Sequence, residues 1–531
     1  MQEYESNGSR DSVNFLFIIA LFIILMAWVN YINLSTARAL DRAKEVGMRK
    51  VVGASRKQLI MQFFFETILV NLAAIFIALG LVELFLPLFS QITGTPLTYS
   101  IWKAGVFWTA LAAMFLAGVF LSGLYPVAVM SSFKPAAVLK GKLGNFAGGI
   151  NLRKALVVFQ FVMSFVLITG TVAVYRQITF MQSQNLGFNM EQTLVVKAPR
   201  VRDASFSEKF PTFKETLLAN TDINKFCVVT EVPGKQILWD NGGIHKAGEG
   251  KGKGKNYQIV GIDYDFVDVF DLKLVQGRNF SKKFPADKDA LILNETAVKW
   301  MGFADSPSAV GRQVDYWGKI YTIIGVLKDY HQQSLKEAFE PHIFRLMPHG
   351  RGGRGLFALK INSRHINETI RRVQQHYDKF FPGNPFDYFF LDDYFNKQYK
   401  GDELFGEVFA LFSFLAIFIT SLGIFGLSSF TAVQRTREIG IRKTLGAPVS
   451  RILLLLTKDF LGLIVVAFII AVPLSFFGIN QWLKSFAYRM SVSSWLFLVP
   501  LVIVAGITIL TVSAHVIKAA LANPVDSLKY E

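Results

Sequence analysis

The chain has 531 residues, of which 52% are hydrophobic and 18% are charged, with 50 Phe and a formal net charge of +17. The apolar residues are grouped in long runs, which excludes an ordinary soluble protein. A positive balance is also typical of nucleic-acid-binding proteins. Here, however, the basic residues lie in loops between apolar runs, so the charge indicates membrane topology and no nucleic-acid partner.

Seven apolar runs are long enough to cross a bilayer, which takes about 20 residues each. They occupy residues 13–36, 59–87, 104–128, 153–176, 404–431, 453–479 and 493–517. The pattern predicts a polytopic α-helical membrane protein with seven spans. One large segment, 177–402, interrupts the series and predicts a separate extracytoplasmic α+β domain.

Lys and Arg distinguish the two sides of the membrane. The loop after the first span is rich in both, whereas residues 88–102 after the second span contain neither. This alternation predicts that the odd-numbered spans end in the cytoplasm, with the 177–402 domain and an N-terminal tail, 1–12, outside the cell inner membrane. The tail lacks the basic region and cleavage site of a signal peptide. Either the first span inserts as a reverse anchor or residues upstream of Met1 have been lost, and we favour loss.

A charged motif occurs twice, each time between two apolar runs. EVGMRKVVGAS, Glu45 to Ser55, returns 393 positions later as EIGIRKTLGAP, Glu438 to Pro448. The shared positions are Glu45, Gly47, Arg49 and Lys50 in the first copy, and Glu438, Gly440, Arg442 and Lys443 in the second. The match predicts two copies of a three-span unit, 13–145 and 403–531, with the span 153–176 leading the second copy.

Each motif is predicted to form a short helix at the membrane face. Glu45 with Arg49, and Glu438 with Arg442, have the i,i+4 spacing of a helical ion pair. Gly53 and Gly446 stand where such a helix would end. The predicted apolar side consists of Val46, Val51, Val52 and Leu59. Anchoring to lipid headgroups would require positive charge alone, so the retained carboxylate favours a partner protein with two equivalent sites.

The span 412–432 carries small residues, Gly423, Gly426, Ser428 and Ser429, that permit close helix packing. The first copy has Asn30 and Asn33 in its matching region, and these amides are suited to hydrogen bonding across a helix interface. Packing inside one bundle and an interface between the two three-span units are equal alternatives.

The 177–402 segment alternates β runs with three helix candidates, 294–300, 334–339 and 366–381. The Gly/Lys-rich stretch 247–256 predicts a hairpin tip. Cys227, the only cysteine, is predicted to be a core residue, so no disulfide forms within the chain.

No motif for enzymatic chemistry occurs. The sequence lacks the phosphate-binding pattern G-x-x-x-x-G-K-[ST], H-E-x-x-H, a Cys cluster and G-x-S-x-G. His331, His342 and His349 fit no standard metal spacing. We therefore predict no catalytic residues, cofactor or metal, and an energy source on another polypeptide.

RAKEVGMRKVVGASRKQLIMQFFFETIL and RTREIGIRKTLGAPVSRILLLLTKDFL resemble the membrane domain of FtsX/MacB-type ABC transporter permeases. ALILNETAVKWMGF and YTIIGVLKDYHQQSLKEAFEPHIF resemble the periplasmic core domain of the same family. The resemblance implies that each charged loop is a coupling helix for a cytoplasmic ABC ATPase, present in two copies. A family unit begins with a leading span and an external domain, which the first unit lacks here.

The preferred hypothesis is a permease subunit that couples ATP hydrolysis by a separate ATPase to movement of the external domain, for export or envelope-substrate handling. Its partners would be the ATPase, membrane lipid and a periplasmic or outer-membrane protein. The alternative is a transmembrane signalling or scaffold protein that regulates an external envelope enzyme without transport. An ion-driven transporter is disfavoured because no charged pathway crosses the spans. The substrate, whether drug, peptide or lipoprotein, and the direction of transport stay open.

Overall fold

Long apolar runs form long helices in this protein, because helix satisfies every backbone polar group within its own segment. The computed structural model describes residues 10–93, 100–131, 147–349, 355–362, 365–434, 438, 441–442 and 445–521. These divide into two units. The helical unit lies within 1–176, 402–482 and 491–531, and the α+β unit comprises Gln177–Gly401 with Leu483–Met490.

The described helices in chain order are α1 (Arg10–Val51), α2 (Arg56–Thr93), α3 (Ser100–Lys103), α4 (Gly105–Ser131), α5 (Ala147–Ser183), α6 (Phe206–Leu218), α7 (Phe266–Val269), α8 (Glu295–Met301), α9 (Ser306–Ala309), α10 (Ile366–Phe380), α11 (Leu391–Lys397), α12 (Lys400–Gln434), α13 (Val449–Leu483) and α14 (Trp495–Leu521). The long helices α1, α2, α4, α5, α12, α13 and α14 correspond to the predicted apolar runs.

Six stretches of the described residues are long and apolar enough to cross a membrane: Val13–Ser35, Lys57–Gln91, Leu152–Ser183, Lys400–Thr431, Ser450–Leu483 and Trp495–Ala514. The predicted span 104–128 falls in α4, whose apolar stretch among the described residues, Gly105–Leu121, is shorter. The polytopic helical class is therefore confirmed, with six spans meeting the length criterion.

The helices of the second half of the helical unit share one apolar core. It is formed by residues of α5, α12, α13 and α14, including Phe161, Phe165, Ile424, Ile464 and Val512. Two hydroxyl pairs join α5 to α12 inside this core: Ser164 with Thr420 at 2.9 Å, and Thr171 with Ser413 at 2.6 Å. Such pairs satisfy polar groups that have no water to bond in a membrane interior.

The α+β unit is built on eleven strands: β1 (Thr193–Lys197), β2 (Ile223–Val229), β3 (Asp240–Lys246), β4 (Lys255–Ile262), β5 (Leu274–Gly277), β6 (Ala290–Asn294), β7 (Gln313–Tyr316), β8 (Lys319–Leu327), β9 (His342–Leu346), β10 (Leu356–Ile361) and β11 (Tyr388–Phe390). Their order is β11-β1-β10-β2-β4-β3-β7-β8-β6-β9, with β5 on β8. Because β9 also pairs with β4 in parallel, six of these strands close into a ring. The ring meets the four-strand part at one residue pair, Val229 with Ile262.

Side chains of the ring alternate between two cores, as strand geometry requires. Ile259, Leu291 and Ile343 belong to one buried cluster. Their neighbours Val260, Ile292 and Phe344 belong to another, which extends to β2 and β10. The four-strand part has its own aromatic core beneath α6 and α10, with Phe206, Phe210, Phe213, Phe226, Phe357 and Tyr377. The α+β unit therefore has two lobes, the ring of six strands and the four-strand part.

Local predictions within this unit were mostly confirmed. Asn294 caps α8, its side chain accepting a hydrogen bond from the Ala297 amide at 2.9 Å. The stretch 247–256 contains the connection of the antiparallel β3–β4 pair, and Cys227 is fully buried. The helix predicted at 334–339 is wrong, since this segment forms turns. Ser334 Oγ accepts from the Lys336 amide at 3.1 Å, a local bond that competes with helix.

Candidate functional site

The first charged motif forms the last turns of α1. Glu45 and Arg49 make the predicted ion pair, with Oε1 and Nη2 2.7 Å apart. The prediction of a separate short helix is wrong, because α1 continues without a break to Val51. α1 contains no proline, and its single glycine, Gly47, costs too little to end a helix of 42 residues.

A glycine in the left-handed region ends this helix, as predicted. Gly53 has φ of +102°. Its amide donates to the Lys50 carbonyl at 3.2 Å, and the Ala54 amide donates to the Arg49 carbonyl at 2.9 Å. These two bonds are the Schellman arrangement, which satisfies carbonyls that the helix leaves open.

The second motif repeats the ion pair, the left-handed glycine and one of the two turn bonds. Glu438 and Arg442 pair at 2.8 Å. Gly446 has φ of +84°, and the Ala447 amide donates to the Arg442 carbonyl at 2.9 Å. These positions match Glu45, Arg49, Gly53 and Ala54 under the 393-residue offset. Gly440 and Lys443, also predicted site residues, lie outside the described residues.

The two loops differ in how the next helix begins. In the first, Ser55 and Gln58 form a reciprocal capping box: the Ser55 amide donates to Gln58 Oε1 at 2.9 Å, and the Gln58 amide donates to Ser55 Oγ at 3.3 Å. In the second, Pro448 takes the place of Ser55 and has no amide hydrogen to donate.

A polar chain also secures the first loop to α2. Arg49 Nη1 donates to Gln62 Oε1 at 2.6 Å, and Gln62 Nε2 donates to Glu66 Oε1 at 3.3 Å. The second copy has Leu455 where the first has Gln62, so it cannot repeat this link. The shared features are therefore the ion pair and the glycine turn, whereas the contacts to the following helix are particular to each loop.

Each loop also has exposed apolar side chains beside its ion pair. In the first, Met48 is 57% exposed and Val52 is 83% exposed. In the second, the matching residues Ile441 and Leu445 are 46% and 81% exposed. Met48, Ile441 and Leu445 were not predicted as site residues, and Val52 was predicted only as part of the apolar side of its helix, although the 393-residue offset places an apolar residue at both positions of each copy.

The predicted apolar side of the first loop is not a single face. Val46 and Leu59 are each only 2% exposed, whereas Val51 is 59% exposed. Val46 and Leu59 thus hold the loop to the helical unit, while Val51, Val52 and Met48 remain uncovered. The Glu45–Arg49 and Glu438–Arg442 pairs are about half-exposed, and ion pairs of this kind contribute little to folding.

The helices that carry the two loops contact each other through the predicted small residues. A Cβ on Gly423 would stand 2.5 Å from Asn30 Oδ1, and Asn30 Nδ2 donates to the Ile419 carbonyl at 3.4 Å. Gly426 likewise leaves room for Leu34. Of the two alternatives for this stripe, the structure selects the contact between α1 and α12.

The α+β unit contains a largely buried ion pair and a buried thiol. Asp263 is 3% exposed, and burial raises its pKa to about 6. Lys214 Nζ lies 3.3 Å from Asp263 and 2.5 Å from Asp265. Burial also raises the pKa of the Cys227 thiol well above its usual value, which makes it a poor nucleophile.

His331, His342 and His349, the histidines considered as metal ligands, form no recognisable ligand set. His342 is 1% exposed, and burial lowers its pKa to about 4. Across the described part of the chain, no group of three or more His, Cys, Asp or Glu side chains is arranged to hold a metal ion.

Two family models match the chain. The FtsX-like permease C-terminal model matches residues 17–135 and 410–524, and the MacB-like periplasmic core domain model matches 156–358. The chain belongs to the FtsX/MacB-type ABC transporter permeases. Each FtsX-like match contains one of the two charged loops.

Individual relatives of this permease are distant. It is 24% identical over 297 residues to the ABC transporter permease YvrN of Bacillus subtilis, covering 52% of this chain and 70% of that one. The macrolide export ATP-binding/permease protein MacB of Chromobacterium violaceum is 23% identical over 304 residues, or 52% of this chain and 44% of that protein. The periplasmic region of MacB from Actinobacillus actinomycetemcomitans aligns with a TM-score of 0.28 and 17% identity, over 40% of this chain and 96% of that one.

Proposed function

We propose that this permease is the membrane-spanning subunit of an ABC transporter in the cell inner membrane, driven by two copies of a separate cytoplasmic ATPase. Its two three-span units, 13–145 and 403–531, each offer one docking loop, and the 177–402 domain lies outside. ATP-driven closure of the ATPase pair would move the two loops relative to each other. That movement would pass along α1 and α12 and change the external domain, for export or envelope-substrate handling.

One observation carries this proposal: two loops far apart in sequence share the same features at their described positions. Each has an ion pair, Glu45–Arg49 or Glu438–Arg442, a left-handed glycine turn and two exposed apolar side chains. An anionic lipid surface would be attracted less strongly because of the carboxylates, which offset part of the positive charge of each loop. A protein groove can bind both the carboxylate and the guanidinium, because charge complementarity fixes the register of a protein interface. Family membership supports an ABC ATPase as that protein.

Charge reversal within each pair tests the docking. Glu438→Arg with Arg442→Glu keeps the pair but inverts its direction, and Glu45→Arg with Arg49→Glu does the same in the first loop. Each should weaken binding of the ATPase by about 1–3 kcal/mol, and both together should abolish stimulated ATP turnover. The ATPase is the one that co-purifies with the wild-type chain, identified by mass spectrometry. The purified permease alone should hydrolyse no ATP.

The matched control lies in α10, where Glu368 and Arg372 form another i,i+4 pair at 2.6 Å with similar exposure. Its reversal should leave ATPase recovery unchanged. Undiminished recovery with both loops reversed would reduce the motif to a membrane anchor. Equal loss from the α10 control would show that the effect is a general one of charge or folding.

A further inference from the structure

The loop between α13 and α14 belongs to the α+β unit although both helices belong to the helical unit. Leu483–Met490 groups with Gln177–Gly401. Short surface loops usually leave their side chains in water. Here Leu483, Phe486 and Met490 are 2%, 5% and 9% exposed. The loop is therefore packed into the α+β unit.

Backbone hydrogen bonds attach the loop to the segment between β8 and β9. The Ala487 amide donates to the Lys336 carbonyl at 3.0 Å, and the Tyr488 amide donates to the Leu335 carbonyl at 3.2 Å. Leu335 is itself fully buried, and its amide donates to the Tyr399 hydroxyl at 3.1 Å. Leu335 therefore bonds to the loop through its carbonyl and to Tyr399 through its amide.

One buried glutamine holds the loop from the end of α5. Gln177 is fully buried. Its Nε2 donates to the Tyr488 carbonyl at 2.9 Å, and its Oε1 accepts from the Met490 amide at 2.9 Å. Both ends of the amide are therefore satisfied by the loop backbone. Without this side chain, two buried backbone groups would lose their partner, which is costly.

Aromatic contacts complete the attachment. The Tyr488 ring meets the His331 ring edge-on, with centroids 4.6 Å apart and an interplanar angle of 81°. Phe339 lies 5.8 Å from Tyr488 and 4.6 Å from His331. Lys336 Nζ stands 5.4 Å from the centre of the Phe486 ring. Rings at these separations add attraction beyond simple burial.

We propose that Leu483–Met490 is a mechanical attachment of the α+β domain, with Gln177 as its positioning residue. A displacement of α13 or α14 then reaches Leu335 and Lys336 through backbone bonds, in addition to reaching the domain through α5 and α12, where the chain enters and leaves it. The attachment stands on these contacts alone, and only its use in transport rests on the proposed function.

Hydrogen–deuterium exchange on the full chain in lipid nanodiscs tests the attachment. In the wild type, amides of 483–490 should exchange at least tenfold more slowly than those of an unstructured loop. Gln177→Leu should raise their exchange by about tenfold, because it removes both bonds to the loop. Gln182→Ala, at an exposed position on the same helix, should change nothing, and peptides from β4 should exchange normally in both variants.

A second variant tests the attachment independently, in case Gln177→Leu does not fold. Ala487→Cys with Lys336→Cys should cross-link with a short bismaleimide in otherwise wild-type protein, since native Cys227 is fully buried. Fast exchange of 483–490 in the wild type, or absence of the cross-link, would overturn the attachment.

Coupling between the ATPase and the α+β domain is measured separately, in membranes that contain the co-purified ATPase. There, ATP with vanadate should alter exchange of 331–339 in the wild type and in Gln182→Ala, but not in Gln177→Leu. Failure of any ATPase to co-purify would overturn the proposed function and leave the attachment standing. An equal response in Gln177→Leu would overturn the mechanical role.

Discussion

Truncating the exposed apolar residue at each loop tip measures how much of the docking surface a partner covers. Leu445 and Val52 each precede the left-handed glycine of their loop, and they are 81% and 83% exposed. Their side chains therefore contribute little to folding of the free protein, so Leu445→Ala and Val52→Ala should leave thermal unfolding unchanged.

The expected loss of affinity follows from the carbon atoms removed. Leu→Ala deletes three carbons and Val→Ala deletes two, at about 0.8 kcal/mol for each one taken out of water. Since about four-fifths of each side chain is exposed in the free protein, full coverage by a partner predicts losses of about 2 kcal/mol and about 1.3 kcal/mol. These correspond to increases in Kd of roughly 30-fold and 10-fold.

The assay is equilibrium binding of the purified ATPase to the permease in nanodiscs, by surface plasmon resonance. Leu454→Ala is the matched control, because Leu454 is also exposed, at 64%, but lies in α13 away from the loop tip. It should bind like the wild type. Changes of less than twofold for both tip variants would refute the idea that the ATPase covers these residues. A loss in the Leu454 control as large as that of Leu445→Ala would refute the assignment to the tip.

Three further outcomes are expected. Because burial raises the pKa of Asp263 to about 6, the folded state binds this proton more tightly than the unfolded state, so the contribution of Asp263 to stability increases as pH falls from about 7 to 4. The stability of Asp263→Asn relative to wild type should accordingly be about 1–3 kcal/mol more favourable at pH 7.5 than at pH 4.5 in chemical denaturation, and a pH-independent difference would contradict this. Gly277 has φ of +78° and lies against the backbone of β8, so Gly277→Ala should destabilise the domain by about 2–3 kcal/mol, whereas Gly250→Ala, which meets open space, should not. Single cysteines at Lys253 and Arg56 should differ in labelling by an impermeant maleimide on intact cells, with only the former reacting, and equal labelling would contradict the predicted topology.

Local sequence pattern was sufficient to predict much of this protein's structure. Long apolar runs predicted the membrane class because a span depends only on length and hydropathy. The i,i+4 spacing predicted both loop ion pairs, and glycine predicted both left-handed turns, since these are properties of a few consecutive residues. Helical spacing likewise located α10, and the β runs within 177–402 predicted a domain with strands, whose alternating burial is a direct consequence of strand geometry.

Tertiary contacts decided the rest. The stripe of Gly423 and Gly426 was compatible with two packing partners until the structure placed Asn30 and Leu34 against it. The turns at 334–339 replaced a predicted helix because Ser334 bonds locally and Leu335 is held by the 483–490 loop and by Tyr399. Gln177 and Tyr488 are 311 positions apart, and helical or strand periodicity relates only near neighbours. Their contact depends on where the whole chain brings these segments, which only the folded structure decides.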